Sequence, residues 1–247
     1  AKAAYTSGAG LVQIYTEESN RAILQQLLPE AIISVYEEYD QEQLTSLLRW
    51  ADVVCIGCGL GQNRTSESLL KGTLLGCRVP CVVDADGINL LACHPELLKE
   101  MGYPLILTPH MKEMSGLLGC SVAELRQSRM SRLRAFIQTC PAVCVLKDSC
   151  TIVAQRGKQD FVNTAGNHGM AKAGSGDVLA GVITGLLAGG LDAYDSAVLG
   201  VYLHACGGDA ARERLGSYAL LAEDLIGGIR ECLKEAEGNS RRQRITE

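Results

Sequence analysis

Residues 163–181, NTAGNHGMAKAGSGDVLAG, run from a glycine-rich segment directly into an apolar one. A loop of small residues that enters a helix leaves backbone N–H groups free at the positive end of the helix dipole. Such a helix start is an anion site, and phosphate is the obvious anion. Asp177 stands at the predicted start of this helix, either as an N-cap or as a general base beside the anion site.

Outward from this stretch, short apolar segments alternate with segments of helical periodicity. The predicted strands span residues 11–15, 31–35, 53–56, 79–83, 105–107, 143–146, 151–154 and 161–163. The predicted helices span residues 20–28, 41–50, 66–75, 121–140, 177–188, 192–214 and 220–237. The upstream strands lack polar alternation, as expected for a parallel sheet covered on both faces. The pattern predicts an α/β fold with a doubly wound, mostly parallel sheet flanked by helices, in a single domain over residues 1–247.

The composition argues against several partners. Lys and Arg number 23 against 28 Asp and Glu, and the net charge of −5 disfavours nucleic acid. Aromatic residues make up 4%, too few for a surface that stacks bases or sugars. The longest apolar run, residues 178–191, is shorter than the roughly 20 residues of a membrane span, so we expect no membrane insertion. With no secretory signal visible, the eleven cysteines predict free thiols in the cytoplasm, and Cys81 and Cys144 read as buried hydrophobes.

Four polar segments follow predicted strands, at the positions where open α/β sheets bind ligands. They are residues 57–62 (GCGLGQ), 84–89 (DADGIN), 108–113 (TPHMKE) and 147–151 (KDSCT). Gln62 stands where a dinucleotide-binding loop needs its third glycine, which disfavours that type of loop. Each segment also has a structural explanation: a tight turn, a helix cap or, for His110, a hydrogen bond within the fold. Together they predict a ligand site at one edge of the sheet.

These segments resemble, in order and approximate spacing, the motifs of the ADP- or ATP-dependent NAD(P)H-hydrate dehydratases. Besides residues 57–62, 108–113 and 147–151, the matching segments are 84–91 (DADGINLL), 163–167 (NTAGN), 174–181 (GSGDVLAG), 200–209 (GVYLHACGGD) and 220–226 (LLAEDLI). The resemblance implies a ribokinase-like fold with three α/β/α layers. Cys58 departs from it, since the family usually has Pro there. The family's opening strand and glycine-containing loop have no counterpart, so we expect the domain to lack its N-terminal first strand and loop.

The resemblance implies a reaction and assigns its central residues. Asp177 would be the catalytic base and would contact the substrate, the (S)-hydrate of NADH or NADPH. The anion hole would consist of Gly174, Ser175 and Gly176. Phosphorylation of the ring hydroxyl by ADP or ATP, followed by loss of phosphate, would restore NAD(P)H in a metabolite-repair reaction, which makes the enzyme a hydro-lyase.

Further residues follow from the same resemblance. Gly61 and His110 would also contact the substrate. Glu113 and Asn167 would help to order phosphate and Mg²⁺, without necessarily binding the metal directly. The nucleotide site would be lined by Lys147, Asp148, Ser149, Cys150, Thr151 and Gly176.

The resemblance also implies partners, and two other functions stay open. The family commonly forms homo-oligomers, with a tetramer as one such assembly, and an NAD(P)H-hydrate epimerase can be fused to it or act separately. The first alternative is a ribokinase-like small-molecule kinase for a vitamin precursor or sugar, whose phosphorylated product would accumulate. The second is a nucleotide-binding pseudoenzyme or an assembly subunit, although the intact Asp177 and the glycine-rich loop argue against it.

Overall fold

Eight strands and eleven α-helices alternate along the chain in a computed structural model that describes residues 1–99 and 101–246, with side chains through residue 238. The strands are β1 (Gln13–Glu17), β2 (Ile32–Tyr36), β3 (Val54–Ile56), β4 (Cys81–Val83), β5 (Leu105–Leu107), β6 (Val143–Leu146), β7 (Ile152–Ala154) and β8 (Phe161–Val162). The helices are α1 (Lys2–Thr6), α2 (Arg21–Leu27), α3 (Gln41–Trp50), α4 (Arg64–Gly76), α5 (Ala85–Cys93), α6 (Met111–Leu117), α7 (Val122–Gln127), α8 (Arg129–Thr139), α9 (Ser175–Ala188), α10 (Ala193–Leu215) and α11 (Ala222–Thr246).

The main sheet has six strands in the order β3-β4-β5-β6-β7-β8. The first four strands are parallel, and β7 and β8 are antiparallel additions at one side. Strands β1 and β2 pair in parallel but form a separate two-stranded sheet. The prediction of a mostly parallel sheet is therefore confirmed, although the described strands fall into two sheets.

Helices cover both faces of the main sheet, which explains why its strands are uniformly apolar. On β4, Cys81 and Val83 pack with one cluster of buried side chains, whereas Val82 packs with another. The first cluster draws on α4, α5, α6 and α8, and the second on α9 and α10. Successive side chains of a strand point to opposite faces, so a strand buried on both faces needs apolar residues throughout. The three-layer α/β/α prediction is confirmed.

Several local predictions differ from the structure. The predicted helix over residues 121–140 is interrupted at Ser128, where the backbone leaves helical geometry between α7 and α8. Segments 84–89 and 108–113 were expected as ligand loops, but most of their residues belong to the starts of α5 and α6. Helix α9 begins at Ser175 with Gly174 as its N-cap, so Asp177 is its third residue. The N-cap interpretation of Asp177 is therefore wrong.

The structure bears on two predictions from the composition, the free thiols and the membrane span. All eleven cysteines are free, and Cys81 and Cys144 are fully buried in the sheet, as predicted. Among the described helices, none combines the length and the apolar character that crossing a bilayer requires.

Candidate active site

An ion pair lies where β4 and β6 end. Asp84 directly follows β4 and is 1% exposed, and its Oδ1 accepts hydrogen bonds from Lys147 Nζ at 2.5 Å and from Thr108 Oγ1 at 2.7 Å. Lys147 is held in turn by its own backbone, since its N–H donates to the carbonyl of Pro109 at 2.8 Å. Because parallel strands end at the same edge of a sheet, residues that are 63 positions apart meet here.

The Lys147 ammonium reaches the first turn of α9. A Cβ built on Gly176 would lie 3.3 Å from Lys147 Nζ and 4.0 Å from Asp84 Oδ2. Glycine at this position therefore lets the ion pair approach the helix start closely. A negatively charged group bound there would meet the ammonium, the backbone N–H groups and the helix dipole together.

The N-terminus of α9 is open to a ligand. Gly174 has a φ of 85°, a conformation that favours glycine, and no described side chain caps this helix end. Ser175 is buried, and Nε2 of His204 donates a hydrogen bond to its carbonyl at 3.0 Å. Burial lowers the pKa of His204 to about 4, so the imidazole is neutral at pH 7. His204 thus fixes the backbone that presents the free N–H groups.

Asp177 faces this region with an uncommitted carboxylate. Within the described part of the chain its side chain makes no hydrogen bond or ion pair, and the residue is exposed. Ligand atoms of Asp177, Asp84 and Cys58 lie within 4.8 Å of one another, and the Cys58 thiol is 3.7 Å from Asp84 Oδ2. A carboxylate without a partner beside an anion site can accept the proton of a bound hydroxyl.

The segment over residues 57–62 is fixed against α5. A Cβ on Gly57 would lie 1.8 Å from the carbonyl oxygen of Asp84, so only glycine fits there. The N–H of Gly61 donates to Asp86 Oδ2 at 3.0 Å, and Gln62 Nε2 donates to Asp86 Oδ1 at 2.8 Å. The Gly61 N–H is therefore already bonded within the protein, and a substrate contact at Gly61 remains a prediction.

His110 and Glu113 cap α6 reciprocally. Nδ1 of His110 accepts from the N–H groups of Lys112 and Glu113 at 3.1 Å each. The Glu113 carboxylate accepts from the backbone N–H of His110 at 2.8 Å, and its Oε1 lies 2.9 Å from His110 Nε2. Burial raises the pKa of Glu113, and burial together with the charge of Lys147 lowers the pKa of His110. His110 therefore has the structural role that was considered for it, a hydrogen bond within the fold. Its imidazole is also half exposed. The Lys147 ammonium lies nearby, with Nζ 3.9 Å from Oε2 of Glu113.

Asn167 anchors the glycine-rich loop. Its amide donates to the carbonyl of Gly208 and to Asp209 Oδ1 at 2.9 Å each, and its Oδ1 accepts from the N–H of Gly169. Asp209 also accepts from the N–H of Gly166 at 2.8 Å. The loop is thereby held on α10.

The donor atoms allow a test of the Mg²⁺ prediction. Mg²⁺ prefers oxygen ligands and usually keeps several waters while binding one or two carboxylates and substrate phosphates. The side-chain oxygens of Glu113 and Asn167 are engaged in the hydrogen bonds described above, which fits an indirect role only. Asp177 supplies an uncommitted carboxylate at the same helix start, so the site fits Mg²⁺ that is held mainly by a nucleotide.

The segment over residues 147–151 is a turn between β6 and β7. Asp148 pairs with Arg129 at 2.9 Å and accepts from the N–H of Ser149, and Thr151 Oγ1 donates to the carbonyl of Asp148 at 3.2 Å. The carbonyl of Thr151 accepts from the N–H of Asn163 at 2.9 Å, which ties this turn to the start of the glycine-rich loop. Lys147 reaches the start of α9, and the nucleotide contacts of Lys147, Asp148, Ser149, Cys150 and Thr151 remain predictions.

Segments 84–89 and 200–209 were singled out in the sequence, but four side chains in them that shape the site received no role there: Asp84, Asp86, His204 and Asp209. Asp84 and Asp86 had a signal, since both carboxylates follow a buried strand at the binding edge of the sheet. His204 and Asp209 had none, because their partners lie 29 and more residues away on another element.

A shallow cleft of about 590 Å³ adjoins the two segments predicted to contact the substrate. Its lining includes Gln62, which follows Gly61, and Lys112, which is two residues after His110. Asn89 of α5 lines it as well. Ser121, the N-cap of α7, and Glu124 in its first turn also line the cleft. The cleft thus lies next to Gly61 and near His110, the two residues that are predicted to contact the substrate.

The fold and this site define a protein of the ribokinase-like class. The chain is similar to a ribokinase-like superfamily protein of Enterococcus faecalis, with a TM-score of 0.84 and 30% identity over 95% of this chain and 80% of that one. A family model described as NAD(P)H-hydrate dehydratase matches residues 1–230. The chain therefore belongs to the NAD(P)H-hydrate dehydratase family.

Individual relatives agree with this membership. The chain is 37% identical over 212 residues to the ADP-dependent (S)-NAD(P)H-hydrate dehydratase of Neisseria meningitidis, covering 83% of this chain and 72% of that protein. It is 38% identical over 232 residues to the bifunctional NAD(P)H-hydrate repair enzyme Nnr of Escherichia coli, covering 94% of this chain and 44% of that protein. The chain thus spans less than half the length of this bifunctional relative.

A solved structure provides a further comparison. The ADP/ATP-dependent NAD(P)H-hydrate dehydratase of Bacillus subtilis, crystallised with ATP and Mg²⁺, superposes with a TM-score of 0.81. The two chains are 26% identical, and the match covers 95% of this chain and 82% of that one.

Proposed function

We propose that this chain restores NADH or NADPH from its (S)-hydrate by an ADP- or ATP-dependent dehydration. The observation that carries the proposal is the unpartnered carboxylate of Asp177 in the first turn of α9, beside an uncapped helix start and the Lys147 ammonium. A base and an anion site at one place are what phosphorylation of a hydroxyl requires. The names of the Neisseria and Bacillus relatives support the choice of substrate and nucleotide.

The chemistry follows from the leaving group. The hydrate carries a hydroxyl on the ring carbon next to nitrogen, and hydroxide leaves poorly. Asp177 takes the hydroxyl proton as the oxygen attacks the terminal phosphoryl group of the nucleotide, and the bond to the nucleotide breaks. The nitrogen lone pair then expels phosphate, and loss of the neighbouring ring proton restores the reduced nicotinamide.

The protein stabilises the negative charge that shifts between oxygens during phosphoryl transfer. Among the described residues, the backbone N–H groups of Gly174 and Gly176 have no partner and can bind the phosphoryl oxygens, and Lys147 adds a positive charge beside them. The N–H of Ser175 donates to the carbonyl of Lys172 at 3.2 Å, so a role in the anion hole requires it to exchange this bond for one to the phosphoryl group. Mg²⁺, when bound with the nucleotide, would neutralise phosphate charge and would be held by phosphate oxygens, water and the Asp177 side of the site.

The remaining site residues divide between the two ligands. Gly61 and His110 are proposed to contact the hydrated nicotinamide, and their neighbours Gln62 and Lys112 line the cleft. The turn over residues 147–151 is proposed to line the nucleotide site, since Thr151 is hydrogen bonded to the start of the glycine-rich loop.

Replacement of the base tests the proposal. We expect Asp177→Asn to lower the rate of NADH recovery from the hydrate by about 100- to 10,000-fold, because the hydroxyl loses its proton acceptor. Asp195→Asn is the matched control, since Asp195 is the third residue of α10 and should leave the rate unchanged. The measurement is the absorbance of reduced nicotinamide with ADP or ATP and Mg²⁺. Full activity of Asp177→Asn, or no nucleotide-dependent recovery by the wild-type chain, would contradict the proposal.

A small-molecule kinase is the second candidate. The same base and anion site can phosphorylate another hydroxyl, and hydroxyethylthiazole kinase of Pyrococcus horikoshii shares the fold, with a TM-score of 0.65. A kinase releases a stable phosphorylated product, whereas the dehydratase releases inorganic phosphate. Phosphorus NMR of the products separates the two functions.

The proposed assembly is a homo-oligomer, with a tetramer as one candidate, and the chain is proposed to fold as one domain. The E. coli relative is bifunctional and more than twice as long as its matched part, which supports cooperation with an epimerase. Light scattering on the purified chain tests the oligomer.

A further inference from the structure

Two aromatic rings that the proposed chemistry does not use lie beside the glycine-rich loop. Tyr218, in the connection between α10 and α11, is 93% exposed. His168, within the glycine-rich loop, is exposed as well. Their ring centroids are 6.3 Å apart and their planes meet at 71°, an edge-to-face contact. This contact restricts the orientation of the Tyr218 ring and leaves much of its surface open.

Backbone contacts place this aromatic pair close to the anion site. A Cβ on Gly169 would lie 2.5 Å from the carbonyl oxygen of Ser217, and a Cβ on Gly174 would lie 3.1 Å from Cβ of Ala222. The connection between α10 and α11 therefore passes the glycine-rich loop at Gly169, and the first residue of α11, Ala222, lies beside the N-cap of α9. Tyr218 is four residues from Ala222, so their Cα atoms are at most about 14 Å apart. An extended nucleoside diphosphate bridges a distance of this order.

The position also fits the turn that is proposed to line the nucleotide site. Lys147, at the start of that turn, approaches the helix at Gly176, whereas Ala222, the first residue of α11 and four residues after Tyr218, approaches it at Gly174. The two segments thus flank the same helix start. A nucleotide whose phosphates bind the free N–H groups of α9 has its base directed toward one of these flanks.

We propose that Tyr218, oriented by His168, stacks on the adenine ring of the nucleotide whose phosphates bind at the start of α9. The inference rests on the proposed function, which supplies the adenine nucleotide. Every base has a π-face, and stacking on an aromatic side chain strengthens binding. The low aromatic content argues against an extended stacking surface but leaves room for one ring. Tyr218 is therefore a nucleotide-affinity residue that takes no part in the chemical step.

Calorimetric titrations with ADP and with pyrophosphate, both with Mg²⁺, test the stacking. Pyrophosphate has no base, so only ADP should depend on Tyr218. We expect Tyr218→Ala to weaken ADP binding roughly tenfold and to leave pyrophosphate binding unchanged. Tyr218→Phe keeps the ring and should bind ADP as the wild type does. Tyr202→Ala is the matched control, since Tyr202 is a 52% exposed tyrosine on the surface of α10.

Kinetics give a second measurement. Tyr218→Ala should raise the KM for ADP and leave kcat unchanged, because the base is remote from the transferred phosphoryl group. The stacking is overturned if Tyr218→Ala binds ADP like the wild type, or if it loses ADP and pyrophosphate equally, which would indicate a damaged anion site. A wild-type chain that binds ADP in a Tyr218-dependent way but recovers no NADH would support the stacking and overturn the proposed function alone.

Discussion

The buried pair of Asp84 and Lys147 should stabilise the fold as well as the site, and replacing one partner measures this. Asp84 is 1% exposed and the Lys147 side chain 17%, with 2.5 Å between Oδ1 and Nζ. Lys147→Met keeps the apolar stem but leaves the Asp84 carboxylate with Thr108 and the Cys58 thiol as its remaining partners among the described side chains. Breaking a buried pair costs about 3–5 kcal/mol, and the residual exposure of Lys147 places the expected loss near 3 kcal/mol.

The double variant separates charge from shape. In Asp84→Asn with Lys147→Met, both charges of the pair are removed, Glu113 loses the more distant Lys147 but keeps the hydrogen bond from the His110 backbone, and the asparagine oxygen can still accept from Thr108. We expect the free energy of unfolding of this double variant to lie within about 1 kcal/mol of the wild-type value, since a neutral pair can replace a buried ion pair at little cost. Urea unfolding followed by circular dichroism at neutral pH gives these free energies. The reasoning would be refuted if the free energy of unfolding of Lys147→Met lay within about 0.5 kcal/mol of the wild-type value. It would also be refuted if the double variant lost as much unfolding free energy as the two single variants together.

Three further predictions concern other parts of the site. Gly57→Ala should lower the free energy of unfolding by about 3 kcal/mol or more, because the added Cβ clashes with the carbonyl oxygen of Asp84. Gly59→Ala, at a position with positive φ but open space, should lower the free energy of unfolding by about 1 kcal/mol. Urea titrations compare the two variants. The pKa of His204 falls from 6.5 unfolded to about 4 folded, so the fold should lose roughly 3 kcal/mol as pH drops from above 6.5 to below 4, and His204→Gln should flatten that slope in unfolding curves. Asp86→Ala frees the Gly61 segment and should raise the KM for the hydrate roughly tenfold with unchanged thermal stability, whereas an unchanged KM would contradict that role.

Much of the fold was predictable because a strand that is buried on both faces of a sheet consists of apolar residues without interruption, a pattern that is visible in the sequence. Strands β4, β5 and β6 are completely buried, and their uninterrupted apolar segments identify them. Helices α5 and α6 were not predicted, because their first turns carry the polar residues that cap them and line the site. In segment 108–113, for example, His110 is both the N-cap of α6 and a candidate substrate contact.

The site was predictable where a local pattern carries the function. The glycine-rich loop and Asp177 stand out because a helix start and its preceding residues are adjacent in sequence. Contacts between distant elements leave no such pattern. The pairing of Lys147 with Asp84 and the support of Ser175 by His204 depend on strand order and helix packing, which only the folded chain reveals.

The route of one oxygen atom tests the central claim most directly. The hydrate is prepared with a heavy oxygen isotope in its ring hydroxyl and incubated with the wild-type chain, Mg²⁺ and ADP or ATP. If the hydroxyl is phosphorylated before it leaves, the label must appear in inorganic phosphate, with one labelled phosphate for each NADH recovered. Mass spectrometry of the phosphate reads this directly. Recovery of NADH with the label in water would contradict the proposed route through a phosphorylated hydroxyl.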